Sequence, residues 1–321
     1  MKKPTLWRRF LQFRLRTLML AMLILPIGLG WLAQARSKSQ KAWDNVEAIH
    51  SFGVTWDVWD RHAGPWWQRT LGIDLPADIT ELSIELHNID EQKQIKLLTR
   101  LKAFPHLKKL DISNPWRSPA ALRPLADFQE LEELTLWVGQ NNFQIESVYE
   151  IAKIPQLKSY HEYGVGIGWI PNSFDILGSI PSLEEFSYNG PFCDCNWSSL
   201  KNLRRLHIGS VSLGHSYACG EAANARSLFS NDIIAQIAKL ENLEGLKLDF
   251  TDCTDDGIPP LLQLKNLQHL TLESNYITDA CLATLVELPA LKTLELKGKN
   301  ITQEAVDQWK AKRPGLTISL L

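Results

Sequence analysis

Apolar residues along this chain recur in a six-residue phrase, L-x-x-L-x-L. The copies "LEGLKL" at 243, "LQHLTL" at 267 and "LKTLEL" at 291 start 24 residues apart. Looser copies precede them: "ITELSI" at 79, "LKKLDI" at 107, "LEELTL" at 131, "LKSYHE" at 157, "LEEFSY" at 183 and "LRRLHI" at 203, and "LTISLL" closes the chain at 316. Alternation inside the phrase predicts a short strand, with Leu270 and Leu272 on one face. A turn then brings Ile277 inward, and Leu282 and Leu285 at helical spacing predict a short helix. Thr254-Asp255, Thr278-Asp279 and Thr302-Gln303 repeat at the same interval, where a hydroxyl or carboxylate can cap the first free amides of that helix. Cys253 falls where Ile277 and Ile301 stand in the neighbouring copies and is expected to be buried, as is Cys281 in the helical stretch.

One such unit cannot bury its apolar side alone, but stacked copies can. These residues resemble leucine-rich repeats of the T-D-x-x-L subtype found in bacterial and F-box-type proteins. The resemblance covers about residues 79–321 and implies an α/β fold: a right-handed solenoid with a parallel sheet on its concave side and helices on its convex side. Two departures stand out. Only Asn275 fits the position whose amide forms a ladder between turns in that family, with Thr251 and Lys299 at the equivalent places. Glu162 takes an inward site, which predicts a distorted repeat at 157.

The opening of the chain breaks the pattern. Thr17 to Ala33 is a run of seventeen residues without a charge, about 26 Å long as a helix, flanked by Trp7 and Trp31. Residues 1–16 hold six of the 34 basic residues and no acid. That asymmetry predicts a single-pass transmembrane anchor over 17–35, a cytoplasmic basic tail over 1–16 and an extracytoplasmic remainder. The alternative is a signal segment cleaved near Ala35, because Ala33-Gln34-Ala35 is an A-x-A site. Either way the repeats are exported to the cell envelope. The stretches "FRLRTLMLAMLILPIGLGW", "AWDNVEAIHSFGVTWDVWD" and "PWWQRTLGIDL" resemble the front end of membrane-anchored leucine-rich repeat proteins of planctomycete-type bacteria, which implies an envelope protein without implying an activity. Past residue 16 the chain carries 28 basic residues against 36 acidic ones, a balance of −8 that disfavours nucleic acid as a partner.

Residues 36–78 hold five of the twelve tryptophans, between positions 43 and 67, and predict an N-terminal cap, with Val54, Trp56 and Val58 alternating like a strand. A sugar- or lipid-binding surface is the other reading of those tryptophans. The step from Leu203 to Leu243 is 40 residues instead of 24, so an insertion over about 209–226 is expected to project as a loop.

No catalytic set, metal site or cofactor motif emerges. "GHSYA" at 214–218 has no strand leading into Ser216, and "YGVGIGWIP" at 163–171 is not a dinucleotide loop. His161-Glu162 lacks the second histidine of a zinc helix, with Val165 in its place. Among five cysteines, Cys193 or Cys195 could pair with Cys219 outside the cytoplasm. Attention therefore moves to residues that point away from the core. Trp137, His161, Tyr163 and His207 would cluster on the concave face, as anchors for a protein or peptide partner. A self-associating structural protein and an enzyme subunit using the 209–226 insertion are the alternatives.

Overall fold

The structure is a computed structural model and describes residues 29–37, 40, 44, 55–57, 79–86, 89–116, 118–138, 145–164, 173–189, 196–209 and 231–321. Its strands are β1 (Thr55–Asp57), β2 (Glu81–Glu85), β3 (Lys109–Ser113), β4 (Glu133–Val138), β5 (Ser159–Gly164) and β6 (Glu185–Asn189). β7 (Arg205–Gly209), β8 (Gly245–Thr254), β9 (His269–Tyr276), β10 (Thr293–Lys297) and β11 (Thr317–Leu320) follow. They form one sheet in strict chain order. Every neighbouring pair from β2 to β11 is parallel, and Leu82, Leu110 and Leu134 share one column in register. β1 differs, pairing antiparallel with β2 through Trp56 and Ile84. It lies in the stretch expected to form the cap.

From β2 to β10, each strand is followed by a short helix or 3-10 turn, and these pack on one another as a second layer. The core lies between the layers. Leu267, Leu270, Leu272, Ile277, Leu282 and Leu285 are all essentially inaccessible to solvent, as the periodicity predicts. Each buried side chain of this size is worth about 1.5–3 kcal/mol relative to exposure, so the apolar ladder is the main stabilising term. Cys253 and Cys281 are free and buried in the same core.

The middle repeats fill this space with rings. Tyr160, Phe186 and Tyr188 replace aliphatic residues, and Phe174 meets Phe186 edge-on at 5.6 Å. The shortest step, 20 residues from Leu183 to Leu203, has a 3-10 turn at Trp197–Ser199 among its described residues. Trp197 is buried there and packs edge-on to Phe174 at 4.5 Å. A large ring thus occupies volume that a full helix occupies elsewhere. Glu162 is buried on the core side, where its carboxylate accepts from the Tyr160 hydroxyl at 2.6 Å. β5 keeps full parallel register with β4 and β6, so the strand of this repeat is not distorted: a hydrogen-bonded acid fits the inward site.

The Thr-Asp pair does more than begin a helix. The Asp255 carboxylate accepts from the Thr278 backbone N–H at 2.9 Å and from its hydroxyl at 2.6 Å. Asp279 does the same for Thr302, at 2.7 and 2.8 Å. Asn231 performs the task one repeat earlier, accepting from the Thr254 N–H and donating to its hydroxyl, both at 3.0 Å. Only the threonine caps locally: Thr302 accepts from Ala305 N and caps the helix Gln303–Lys312. The acid instead ties its repeat to the next. Asn275 likewise departs from expectation. It is exposed, and buried hydroxyls make the inner ladder, with Thr251 donating to the Glu273 carbonyl at 2.9 Å and Ser274 to the Cys253 carbonyl at 2.7 Å. A hydroxyl needs only one carbonyl to be satisfied, so it suits the tight turn between these strands.

Most of the 17–33 segment, Cys193, Cys195, Cys219 and nearly all of the 209–226 insertion lie outside the described residues. Residues 29–37 are helical, and among the described residues no helix is long and apolar enough to cross a membrane.

Replacing Asp255 by alanine removes two bonds to a carboxylate and should lower the unfolding free energy by about 1–3 kcal/mol. Asp255→Asn should recover much of that loss, because Asn231 already makes the equivalent pair. Urea denaturation of the three proteins checks the order.

Candidate functional site

Residues alternate across the strands, so those between the core positions line the open face of the sheet. One column runs Asp111, Thr135, His161, Ser187, His207 and Lys247. The next runs Ser113, Trp137, Tyr163, Asn189 and Gly209. The strand register expected from the sequence therefore holds across the candidate residues.

Trp137 and Tyr163 are brought together. Their ring centroids are 4.7 Å apart with planes tilted by 37°, and Trp137 keeps 47% of its surface exposed. His161 lies nearly parallel to Tyr163, 6.3 Å away. Trp137 is also held from the preceding strand: Asn114, with a left-handed φ of 56°, turns its N–H onto the Trp137 carbonyl at 2.7 Å. Asparagine tolerates that conformation better than most side chains. His207 does not join the aromatic group. It lies two strands from His161 and is engaged by Asp249 at 2.8 Å, which also holds Lys247 at 3.0 Å. Burial alone would raise the Asp249 pKa, but the bonds from His207 and Lys247 win and hold it below the usual carboxylate range.

The polar groups around the aromatic pair are less complete. Asp111 Oδ1, His161 Nδ1 and Asn189 Oδ1 are buried atoms without a hydrogen-bond partner. Gly209 makes room for the Asn189 amide: a Cβ there would come within 2.1 Å of Oδ1. Burial raises the Asp111 pKa, opposed by a hydrogen bond with the Trp137 side chain, with Glu133 adding to the rise and His161 opposing it. Burial lowers the pKa of His161, against the pull of Glu185 and Glu133 and helped by His207 and Arg205. At neutral pH this imidazole is uncharged.

A further set of residues was not among the candidates. The two x positions between the first and second leucines alternate in sign along the chain: Lys108-Lys109, Glu132-Glu133, Lys158-Ser159, Glu184-Glu185, Arg204-Arg205. Stacking turns that alternation into ion pairs. Lys109 lies between Glu81 and Glu133 at 3.3 and 3.5 Å, Lys158 meets Glu132 at 2.9 Å, and Arg205 meets Glu185 at 2.6 Å. Exposed pairs contribute about 0–1 kcal/mol each, so their main effect is on specificity, since a wrong neighbour sets like charges side by side. The signal was present in the phrases "LKKLDI", "LEELTL" and "LEEFSY", but it appears only when neighbouring copies are aligned.

Nothing here assembles into a catalytic centre. Cys281, the thiol behind the Thr-Asp turn, is pushed up to about 12 by burial and stays protonated. Among the described residues no group of three or more His, Cys, Asp or Glu is placed to hold a metal ion. The arrangement offers recognition: flat rings, a half-buried acid, a neutral imidazole and an amide on a sheet face.

Parallel strands in chain order, carrying L-x-x-L-x-L or a looser copy of it and joined by short helices or turns, define a leucine-rich repeat solenoid. No protein-family profile matches the chain, and no curated protein matches it by sequence. Similar solved structures include an internalin C2 of Listeria monocytogenes, with a TM-score of 0.45, 21% identity, and coverage of 68% of this chain and 80% of that one. Another is a leucine-rich repeat protein of Leptospira interrogans, at 0.41 and 20%, covering 68% of this chain and 56% of the other. The complex of Rad7 and Elc1 in yeast gives 0.46 and 19%, covering 92% and 73%. The chain thus spans little more than half of the Leptospira protein. The fold assignment rests on the repeat geometry of the chain itself.

Titration of His161 by side-chain NMR should give a midpoint below the ordinary value of about 6.5. Its folded value is depressed, so its contribution to stability is complete above the unfolded value and is lost as pH falls through the lowered one. His161→Gln should flatten the stability profile in that window. A midpoint above about 6.5 would show the ring to be solvated or paired.

Proposed function

We propose that this chain is a non-enzymatic envelope protein whose repeat domain binds a protein or peptide partner through the concave face of its sheet. The observation that carries this reading is the exposed Trp137–Tyr163 pair on the open face, set among buried polar atoms that lack partners. A ring left half-exposed on an otherwise charged sheet gains most when a partner covers it.

The N-terminal segment completes the proposal. Six basic residues followed by seventeen uncharged ones support a single-pass anchor with a cytoplasmic N-terminus and extracytoplasmic repeats. A tethered binding domain also gains from its anchor, since confinement near the membrane raises its effective concentration toward other envelope proteins.

Trp137→Ala combined with Tyr163→Ala should abolish capture of partners from the native envelope while leaving the thermal unfolding midpoint unchanged. Retained capture would remove the aromatic pair from the binding surface. For topology, alkaline phosphatase fused after Leu321 should be active and a cytoplasmic reporter at the same place silent. The reverse result would rule out export of the repeats.

A further inference from the structure

In the column that opens the strands, the alternation of charge from β2 to β7 is interrupted at Ser159. From β2 to β7 the outward position that opens each strand reads Glu81, Lys109, Glu133, Ser159, Glu185 and Arg205 in strand register. Alternation calls for a cation at β5, and a serine stands there. Its hydroxyl reaches Glu185 at 3.4 Å, but it brings no charge. The cation of the same strand, Lys158, lies one residue earlier and is held by Glu132. Glu133 therefore has Lys109 on one side only, and Glu185 has Arg205 on one side only. Between these two acids, roughly 10 Å apart across two strand spacings, the face carries an uncharged gap.

The gap is open. A groove of about 480 Å³ runs along the strand starts, and Ser159 lines it together with four cations, among them Lys158 and Arg205, and four acids, among them Glu132 and Glu133. Two residues further along β5, on the same face, is His161, with its unpartnered Nδ1. Further along the same face lies the Trp137–Tyr163 pair, and Asp111 stands two strands from His161 on β3. From the groove upward, a ligand would meet the acids and cations of the strand starts and then two aromatic rings.

We infer that the partner inserts a basic side chain, arginine or lysine, into the gap at Ser159, taking the place of the missing cation of the ladder between Glu133 and Glu185. This deepens the open-face reading and rests on it. Charge complementarity selects the ligand. A neutral group such as a sugar could stack on Trp137 and Tyr163, but it would leave Glu133 and Glu185 without a cation between them on β5. An acidic group placed at Ser159 would stand between those two acids. A guanidinium or ammonium placed between Glu133 and Glu185 complements both acids. His161 is uncharged at neutral pH and does not compete. On the far side of the face, Lys247 and His207 already compensate Asp249.

The test uses the full 321-residue chain and fluorescently labelled, acetylated and amidated tetrapeptides that differ at one position: arginine, lysine, citrulline or glutamate. Anisotropy should show the arginine and lysine peptides binding at least about tenfold tighter than the citrulline peptide, which keeps the shape of arginine without its charge. Ser159→Lys supplies the missing cation internally. It should reduce binding of the arginine peptide at least about tenfold without lowering the unfolding midpoint. Thr293→Lys adds the same charge in the same column on β10 and should leave binding unchanged. Equal binding of arginine and citrulline peptides, undiminished binding by Ser159→Lys, or no binding of any peptide at millimolar concentration overturns the inference. If charge preference is absent while partner capture still depends on Trp137 and Tyr163, the charge inference falls and the open-face reading stands. If Ser159→Lys blocks the arginine peptide while capture ignores both rings, the charge inference is supported and the aromatic anchor falls.

Discussion

No repeat of this chain can bury its own apolar side, and the rest of the structure follows from that constraint. A single strand and short helix present leucines on one surface only, so each unit is complete when its neighbour covers it. The polar backbone obeys the same rule. The Glu132 carbonyl accepts from the N–H groups of both Lys158 and Ser159, and the Glu184 carbonyl from those of Arg204 and Arg205. Side chains then reinforce the stack at its turns: Asp255 and Asp279 hold the next threonine, while Asn242 and Asn266 each donate to a carbonyl of the repeat before. At the last repeat, Arg313 donates to the carbonyls of Val286, Leu288 and Leu291, beyond the end of the helix Ala280–Leu285.

Stacking also creates the surface. Because the register is held on the core side, residues on the open face fall into columns at a spacing of about 4.8 Å, and a column behaves as one extended object. Along the strand starts, that object is a ladder of alternating charge. Along the middle of β3–β6 it is a patch of rings with incompletely satisfied polar atoms. These two features meet at β5, the strand that also carries the buried Glu162. Irregular features thus concentrate in one repeat. In the C-terminal repeats the outward residues pair among themselves, as Lys297 with Glu273 and Thr271 with Glu295 show.

Much of this was legible in the order of residues. The 24-residue period gives the strands, the parallel sheet and the buried set around Leu270, because burial depends on local alternation and on having an identical neighbour. It also gives the two outward columns, since register is fixed by the same leucines. Three local readings changed in the folded chain. Glu162 is accommodated by the Tyr160 hydroxyl rather than distorting its strand. Thr251 and Ser274, not Asn275, make the inner ladder, and the acid of the Thr-Asp pair reaches forward to the next repeat instead of capping its own helix. Each depends on which group lies across the interface between repeats, information that no single repeat contains.

The sequence by itself determined the class of architecture and which residues face outward, because hydrophobic periodicity and repetition are one-dimensional properties. Only the tertiary structure decided what those outward residues do together. It separated His207, drawn to Asp249, from the His161–Tyr163–Trp137 group, and it left Asp111, His161 and Asn189 with buried atoms unsatisfied. It also set like-charged pairs from distant phrases side by side with opposite ones, so that a serine in "LKSYHE" became a gap between two acids. The physical reason is distance: these partners lie twenty or more residues apart in the chain, and their Coulomb and hydrogen-bond interactions exist only once neighbouring strands bring them within a few ångströms.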